Sequence, residues 1–356
     1  MTYGAVEQGR RAILLALIAA LLFGLSTPAA KALLTATDPW LLAGLLYLGS
    51  GIGLGFVRLI LAIVGRGSRE APLRRTDVPW LLGAIVCGGG IGPVLLMFGL
   101  AGGSASHTAL LLNLEGVLTA VLAWLVFREH LDGRIAIGMA FITAGAFVLA
   151  WQPGQGFPVD RNDLFIVGAC LAWAIDNNLT RKVSGGDAAL IAAVKGGAAG
   201  VVNLAIAAAS GARLPGLGTL VGAGLVGLLG YGVSLMLFVR ALRDLGAART
   251  GAYFSTAPFI GAVVAVVAFG EPLTGRLAAG GVLMAIGVWL HVSERHGHEH
   301  VHESLEHDHP HRHDEHHAHE HEQGMPIREP HTHWHVHAPL RHGHPHYPDL
   351  HHRHRH

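Results

Sequence analysis

The sequence has few charged residues and few cysteines. Only 14% of its 356 residues are Asp, Glu, Lys or Arg, and it contains two Cys. Two Cys at unrelated positions exclude a disulfide framework and a cysteine-based zinc site. The first 290 residues hold only 19 Lys and Arg and 13 Asp and Glu. Because soluble domains have about 25% charged residues, this part of the chain is typical of a membrane protein.

Motifs of common enzyme classes are also absent from the sequence. It has no GxxxxGK[ST] phosphate-binding loop, and the first 290 residues contain no metal-binding triad and no activated Ser or Cys. We therefore expect that the protein is not an enzyme, that this part needs no cofactor, and that nucleic acid is not a partner.

Long apolar segments dominate what the sequence does contain. A helix needs about 20 apolar residues to cross the hydrocarbon layer, and ten segments of the sequence meet this requirement. The connecting segments on the N-terminal side carry thirteen Lys and Arg, against four on the other side. Basic loops are cytoplasmic, so we predict a multi-pass protein of the inner (plasma) membrane with both termini in the cytoplasm. The predicted spans are residues 11–33, 39–64, 80–102, 107–127, 133–151, 163–181, 188–209, 217–242, 247–270 and 275–292.

The apolar part of the sequence repeats itself. Residues 127–134 match residues 269–276 at a distance of 142 residues, and residues 23–28 match residues 173–178 at a distance of 150. Five spans per half is an odd number, which would place the halves in opposite orientation, as in secondary transporters. We predict an all-α integral membrane fold with ten transmembrane helices in an inverted 5+5 repeat, followed by a disordered tail. The predicted domain limits are 1–151, 152–292 and 293–356.

Over residues 11–292 the sequence resembles the EamA-type branch of the drug/metabolite transporter superfamily. The stretch Phe23-Gly24-Leu25-Ser26 is similar to that family's Trp-Gly-Ser signature, and Leu114-Glu115-Gly116-Val117 is similar to its Leu-Glu-Pro-Val motif, with Gly in place of Pro. A Gly-Glu-Pro-Leu-type loop closes the fourth span of each half at Glu129 and Glu271. The resemblance implies secondary transport, often export, of a small polar or amphipathic solute across the lipid bilayer, without fixing the solute.

Charged residues inside the predicted spans are candidates for function. A charge at the bilayer centre costs about 2.5–3.5 kcal/mol or more, so such residues are rare. Glu115 is the strongest candidate for solute binding or proton coupling, because no basic residue lies within two turns of it on its own helix. His107, eight residues earlier, would lie on roughly the same side. A structural hydrogen bond to another helix is the alternative for Glu115.

Lys195 is the basic counterpart in the second half. It needs an acidic partner, which Glu115 or Asp176 would supply. A structural ion pair is the alternative for Lys195 and for Asp176, which also has Arg181 and Lys182 nearby. The other candidates for the substrate or coupling site are Asn113, Asn177, Asn178 and Tyr231. Glu129 and Glu271 have an expected structural role, either pairing with the Arg five residues later or capping the helix that follows.

The C-terminal tail is rich in histidine. Of the 26 His, 24 lie between His291 and His356, many alternating with acidic or small residues. Alternate residues of an extended chain face one side, and imidazole suits Zn, Ni and Cu, so we predict that the tail binds these ions. Six Pro and few apolar residues predict disorder without metal; a pH-responsive tail is the alternative. The predicted ligands are His296, His298, His300, His302, His307, His309, His311, His313, His331, His333, His335, His337, His342, His344 and His346.

Three functions fit these features. The first is a secondary transporter, in the exporting direction, of a small solute, coupled to protons through Glu115 and carrying a metal-binding tail. The second is a transporter of divalent metal ions, and the third is a membrane anchor for a metal sensor or store. Several GxxxG-like faces would also permit a homodimer.

Overall fold

A computed structural model describes most of the chain. It describes residues 3–65, 73–127, 133–151, 160–184, 186–292, 297–302, 305–311, 331–337 and 340–345. The chain divides into two units: the first contains the described residues up to 292, and the second contains the described residues from 297 to 345. The described part of the first unit is a bundle of helices, and the described part of the second consists of strands.

Thirteen α-helices, two π-helical segments and one short 3-10 turn make up the described part of the bundle. The π-helical segments are Ile85–Ile91 and Gly227–Val233, and the 3-10 turn is Arg75–Asp77. The α-helices are α1 (Tyr3–Leu33), α2 (Pro39–Ile63), α3 (Val78–Ala84), α4 (Gly92–Gly102), α5 (Ala105–Leu111), α6 (Leu114–Phe127), α7 (Gly133–Ala150), α8 (Arg161–Val183), α9 (Ala188–Ala209), α10 (Leu217–Val226), α11 (Ser234–Phe254), α12 (Ala257–Phe269) and α13 (Gly275–Val292).

Nine helical segments in the described residues are long and apolar enough to cross a membrane. Each lies within five residues of a predicted span at both ends. The remaining predicted span, residues 163–181, forms helix α8, which is too polar to meet the same criterion. Its polar residues Asp176, Asn178 and Thr180 are buried in the protein, so the composition of α8 reflects the interior of the bundle.

The two π-helical segments occupy equivalent positions in the repeat. Both contain seven residues and they begin 142 residues apart, the spacing of the sequence repeat. In the first, the carbonyl of Gly88 accepts hydrogen bonds from Tyr47 Oη at 2.7 Å and from Trp173 Nε1 at 3.0 Å. Side chains of α2 and α8 therefore satisfy a buried backbone group that the π-helical winding leaves available.

The fourth and ninth spans are both interrupted, again at equivalent positions. Leu112–Asn113 separates α5 from α6, and Ser255–Thr256 separates α11 from α12. The two interruptions face each other, because a Cβ atom on Gly116 would lie 3.4 Å from Ser255 Oγ. Irregular backbone at membrane depth is tolerated where it is buried or lines a cavity, so these positions mark the interior of the bundle.

Glycines bring helices α2 and α9 into close contact. A Cβ atom on Gly51 would overlap the backbone of Gly197, and one on Gly200 would lie 2.5 Å from the amide nitrogen of Leu48. Small residues allow such close approach between membrane helices. The Gly-rich stretches in these spans therefore serve helix packing.

Lys31, in the first half of the bundle, forms hydrogen bonds with the segment that connects α4 to α5. It lies near the end of α1, and its Nζ donates hydrogen bonds to the carbonyl oxygens of Leu100 at 2.8 Å and Gly103 at 2.7 Å. These carbonyls belong to the C-terminal end of α4, where the helix dipole favours a positive charge.

Glu271, in the second half of the bundle, forms hydrogen bonds with the other end of the same connection, at the start of α5. Its carboxylate accepts hydrogen bonds from the backbone N–H groups of Ala105 at 2.8 Å and Ser106 at 2.9 Å. Partial burial raises the pKa of Glu271, but the hydrogen bonds from Ser106 and Ala105 outweigh it and leave this pKa below its ordinary value. Glu271 therefore caps α5 of the other half, whereas the sequence predicts either pairing with Arg276 or capping of the following helix. Glu129 lies outside the described residues.

The second unit contains four strands in two antiparallel ladders. Strand β1 (Gly297–His302) pairs with β4 (Leu340–Pro345), and β2 (Leu305–His311) pairs with β3 (His331–His337). The sequence predicts disorder for the tail, and these four segments instead have paired, extended backbone. The His-x-His alternation has the two-residue period of a strand, which accounts for this difference. The predicted ligands His296, His313 and His346 lie outside the described residues.

Candidate functional site

Two adjoining cavities lie among the polar residues of the bundle. They contain about 520 and 1260 Å³ of empty space, which includes the solvent at their mouths. Five residues line both cavities. They are Phe23, Glu115, Asn177, Phe238 and Phe254.

Glu115 lies where these cavities meet. It is the second residue of α6, immediately after the interruption of the fourth span, and the positive end of the helix dipole favours a carboxylate there. Its Oε1 accepts a hydrogen bond from Asn177 Nδ2 at 2.8 Å. None of the ion pairs found among the described residues includes Glu115. Its carboxylate therefore faces the cavities with an uncharged partner.

Lys195 forms a buried ion pair with Asp176. Its Nζ lies 2.5 Å from Asp176 Oδ1 and 3.0 Å from Thr180 Oγ1, and the Thr180 hydroxyl donates to Asp176 Oδ1 at 2.7 Å. Lys195 is only 1% exposed and Asp176 is 6% exposed. Of the two partners that the sequence leaves open for Lys195, the structure places Asp176 beside it. Both charges line the smaller cavity together with Glu115.

The equivalent contact in the repeat contains no charges. Asp176 aligns with Ser26 in the repeat. A Cβ atom on Gly88 would overlap the Asp176 carboxylate, and a Cβ atom on the equivalent Gly230 would lie 2.5 Å from Ser26 Cβ. The fold thus brings the same two repeat positions together twice, each time between the two halves, whether the residue is Asp or Ser.

Lys195 likewise has an apolar equivalent. Asp38 and Asp187 cap the N-termini of α2 and α9, and the residues eight positions after them are Leu46 and Lys195. Both residues are fully buried. One half of the protein therefore has Ser26 and Leu46 at these positions, where the other half has the Asp176–Lys195 pair. This asymmetry favours a functional role for the pair.

His107 lies away from Glu115, in contrast to the prediction. Its Nε2 is 2.9 Å from Asp163 Oδ1 at the start of α8, and it lines neither of the two cavities. The predicted position of His107 requires one continuous helix from His107 to Glu115. The interruption at Leu112–Asn113 changes the direction of the side chains, so this prediction is wrong.

The remaining predicted residues lie within the bundle. Asn178 Nδ2 donates to the carbonyl of Thr119 at 3.2 Å and so connects α8 to α6. Asn113 Nδ2 donates to the carbonyl of Leu110 at 3.1 Å. Asn113 and Asn178 line the larger cavity, and Tyr231 lines the smaller one. The structure therefore groups Asn113, Asn177, Asn178 and Tyr231 around the same space as Glu115.

A cluster of aromatic rings lines the smaller cavity, and of these rings the sequence predicts only that of Tyr231 as part of the site. The Phe23 ring lies 5.9 Å from that of Trp173, 5.8 Å from that of Tyr231 and 5.3 Å from that of Phe254. The Tyr47 and Tyr231 rings are 5.3 Å apart. Aromatic residues are ordinary in apolar spans, so composition does not distinguish them. The alignment of Phe23 with Trp173 in the repeat was the one available signal. Thr119 and Phe238 were missed as well.

The larger cavity extends toward one end of the bundle. Helix α8 begins beside the α4–α5 link, where Asp163 contacts His107. Arg181 lies 18 residues further along this helix, about 27 Å away at about 1.5 Å per residue. The larger cavity is lined by Arg181 and by Trp124, which is 50% exposed. The larger cavity therefore extends toward the end of the bundle that lies opposite the α4–α5 connection.

Similarity to known proteins supports both the internal repeat of the sequence and its assignment to a class of transporters. The sequence model of the EamA-like transporter family matches residues 10–151 and again residues 161–293. An uncharacterized transporter of Methanothermobacter thermautotrophicus is 30% identical over 287 residues, which cover 76% of this chain and 83% of that protein. The uncharacterized transporter YyaM of Bacillus subtilis is 22% identical over 241 residues, covering 65% of this chain and 78% of that protein.

The fold also matches a solved structure. A protein crystal structure with 17% sequence identity aligns with a TM-score of 0.61, covering 78% of this chain and 94% of the other. At this identity the likeness concerns the fold alone. Because the family model matches most of the sequence in two successive stretches, the chain belongs to the EamA-like transporter family of the drug/metabolite transporter superfamily and is a multi-pass membrane transporter.

Proposed function

We propose that the protein exports a small solute from the cytoplasm in exchange for protons, with Glu115 as the group that binds each in turn. The observation that carries this proposal is the position of Glu115, which faces both cavities and, among the described residues, has only the Asn177 amide as hydrogen-bond partner. An ionised carboxylate at membrane depth is costly without a cation. A bound proton or a bound solute would each relieve that cost, so the two would compete for one site.

The arrangement of the helices supports alternating access. Helix α1 ends at the α4–α5 link, where Lys31 binds, whereas its repeat equivalent α8 begins at that link. Equivalent helices that run in opposite directions are the mark of an inverted repeat, which allows one site to face each side of the membrane in turn. The larger cavity extends to the end with Arg181, and the positive-inside rule places that end in the cytoplasm. Loading from the cytoplasm supports export.

Solute-driven proton movement in proteoliposomes tests this proposal. Vesicles with the full chain and an internal pH-sensitive dye would be exposed to a panel of amino acids, amines, monocarboxylates and sugars. We expect at least one solute to change the internal pH, and Glu115→Gln to reduce this signal to that of protein-free vesicles. Asp160→Asn is the matched control, because Asp160 caps α8 outside both cavities and Asn also caps helices. A Glu115→Gln protein with the unchanged signal would contradict the proposal.

The tail is proposed to bind Zn²⁺, Ni²⁺ or Cu²⁺ as a regulator or local store. Support comes from its His content and from the register of the ladders, in which His300 is opposite His342 and His309 is opposite His333. Imidazole is a common ligand of these metals.

Truncation after Val292 tests the role of the tail. Calorimetric titration with Zn²⁺ should detect several equivalents bound to the full chain at neutral pH and a loss of this binding in the truncated protein. Solute-driven proton movement should persist after truncation. Uptake of Zn²⁺ into vesicles by the full chain would instead favour the metal-transporting alternative, and unchanged Zn²⁺ binding after truncation would contradict a metal-binding tail.

A further inference from the structure

The smaller cavity has an uneven balance of charge. Asp176 and Lys195 face each other at 2.5 Å, and Thr180 completes their hydrogen bonds. Glu115 is the one carboxylate or amine of the lining that stands outside this pair. When Glu115 is ionised, the lining therefore carries one net negative charge. Arg181 lines the larger cavity and is not part of this lining.

The wall of the smaller cavity is largely aromatic. Six of its thirteen lining residues carry aromatic rings, namely Phe23, Tyr47, Trp173, Tyr231, Phe238 and Phe254. The polar atoms of Tyr47 and Trp173 already donate to the carbonyl of Gly88. What these two side chains present is therefore mainly ring surface. Ring faces attract cations, and Trp does so most strongly.

Anionic solutes and metal ions fit this cavity poorly. An anion would need Lys195, which is 1% exposed and already contacts Asp176 and Thr180. A divalent metal ion requires several oxygen or nitrogen ligands, and of the two carboxylates in the lining, that of Asp176 is engaged by Lys195.

From this chemistry we infer that the smaller cavity binds the ammonium group of an organic cation, with the charge beside Glu115 and the apolar part among the aromatic rings. The inference rests on the proposed exchange at Glu115 and names the class of solute that the site selects. Glu115 supplies the counter-charge, and the rings of Phe23 and Phe254, which pack against each other with centroids 5.3 Å apart, form a continuous apolar surface in the lining.

A pair of permanently charged probes of similar size tests the inference. Phenyltrimethylammonium and benzenesulfonate would be titrated calorimetrically into the full-length protein in lipid nanodiscs. We expect the cation to bind at least about tenfold more tightly than the anion, because a charge-assisted contact of about 1.4 kcal/mol corresponds to that ratio. Equal or tighter binding of benzenesulfonate would overturn the inference.

Substitutions in the lining of the smaller cavity test whether phenyltrimethylammonium binds there. Glu115→Gln should weaken phenyltrimethylammonium binding about tenfold, and Phe254→Leu should weaken it about threefold through the lost ring. Phe165→Leu is the matched control, because Phe165 packs on Phe98 outside both cavities. A single sharp peak in size-exclusion chromatography would verify that each variant is folded. Cation binding that is unchanged in Glu115→Gln would overturn the inference.

The proteoliposome assay separates this inference from the proposed function. If an anionic or neutral solute drives protons and phenyltrimethylammonium does not bind, the exchange function stands and the inference fails. If the cation binds at Glu115 but neither the cation nor any solute of the panel moves protons, the inference stands and the exchange function fails.

Discussion

Replacement of Lys195 by Met should destabilise the bundle by about 3–5 kcal/mol. The substitution removes the cation and leaves the buried Asp176 carboxylate with only the hydroxyl of Thr180, which donates to it at 2.7 Å. A charge without a counter-ion inside a membrane protein is costly, because neither lipid nor protein replaces its hydration. The midpoint of thermal unfolding in detergent would measure the effect against the unsubstituted chain.

The repeat supplies the control for this prediction. Ser26 and Leu46 occupy the equivalent positions of the first half, so the double variant Asp176→Ser with Lys195→Leu transfers a combination that the fold already accommodates. We expect the double variant to regain most of the lost stability, because it removes both charges together. Its solute-driven proton signal should stay low if the pair serves transport. If the double variant is as unstable as Lys195→Met, the fold does not tolerate loss of both charges and the stability prediction is wrong. If the double variant is fully active, the ion pair has a structural role only.

The sequence was sufficient to predict most of the transmembrane helices. Runs of about 20 apolar residues have few alternatives to a membrane helix, and nine described segments match predicted spans within five residues. It was not sufficient to predict the π-helical segments or the interruptions at Leu112–Asn113 and Ser255–Thr256. These features depend on side chains from other helices, such as Tyr47 and Trp173 on the Gly88 carbonyl, which no local pattern reveals.

The candidate site was predicted in part, for a similar reason. The cost of a charge in the membrane singles out Glu115, Asp176 and Lys195 in the sequence, and the structure places all three around one cavity. Spacing along one helix placed His107 beside them, and the interruption of that helix moves it to Asp163. The aromatic wall could not be predicted, because the rings come from α1, α2, α8, α11 and a π-helical segment, brought together only by tertiary packing.

Gly88→Ala is expected to destabilise the protein by about 1–3 kcal/mol. The added Cβ would overlap the Asp176 carboxylate, so α8 and the π-helical segment would have to separate. Separation would weaken the hydrogen bonds that Tyr47 and Trp173 donate to the Gly88 carbonyl, and it would disturb the contact of Asp176 with Lys195. We therefore also expect weaker binding of phenyltrimethylammonium, measured in nanodiscs as above.

Gly90→Ala is the matched control for Gly88→Ala, because it changes the same π-helical segment. The nearest atom to a Cβ on Gly90 is the carbonyl oxygen of Ile85 at 3.7 Å, an ordinary contact, so this variant should unfold close to the unsubstituted midpoint. The repeat extends the test to Gly230, where an added Cβ would lie 2.5 Å from Ser26 Cβ. Gly230→Ala should therefore resemble Gly88→Ala in stability. If Gly88→Ala and Gly90→Ala unfold at the same midpoint, the close approach of Asp176 to the π-helical segment does not limit stability. In that case the shared geometry of the two halves would not explain why glycine occupies both positions.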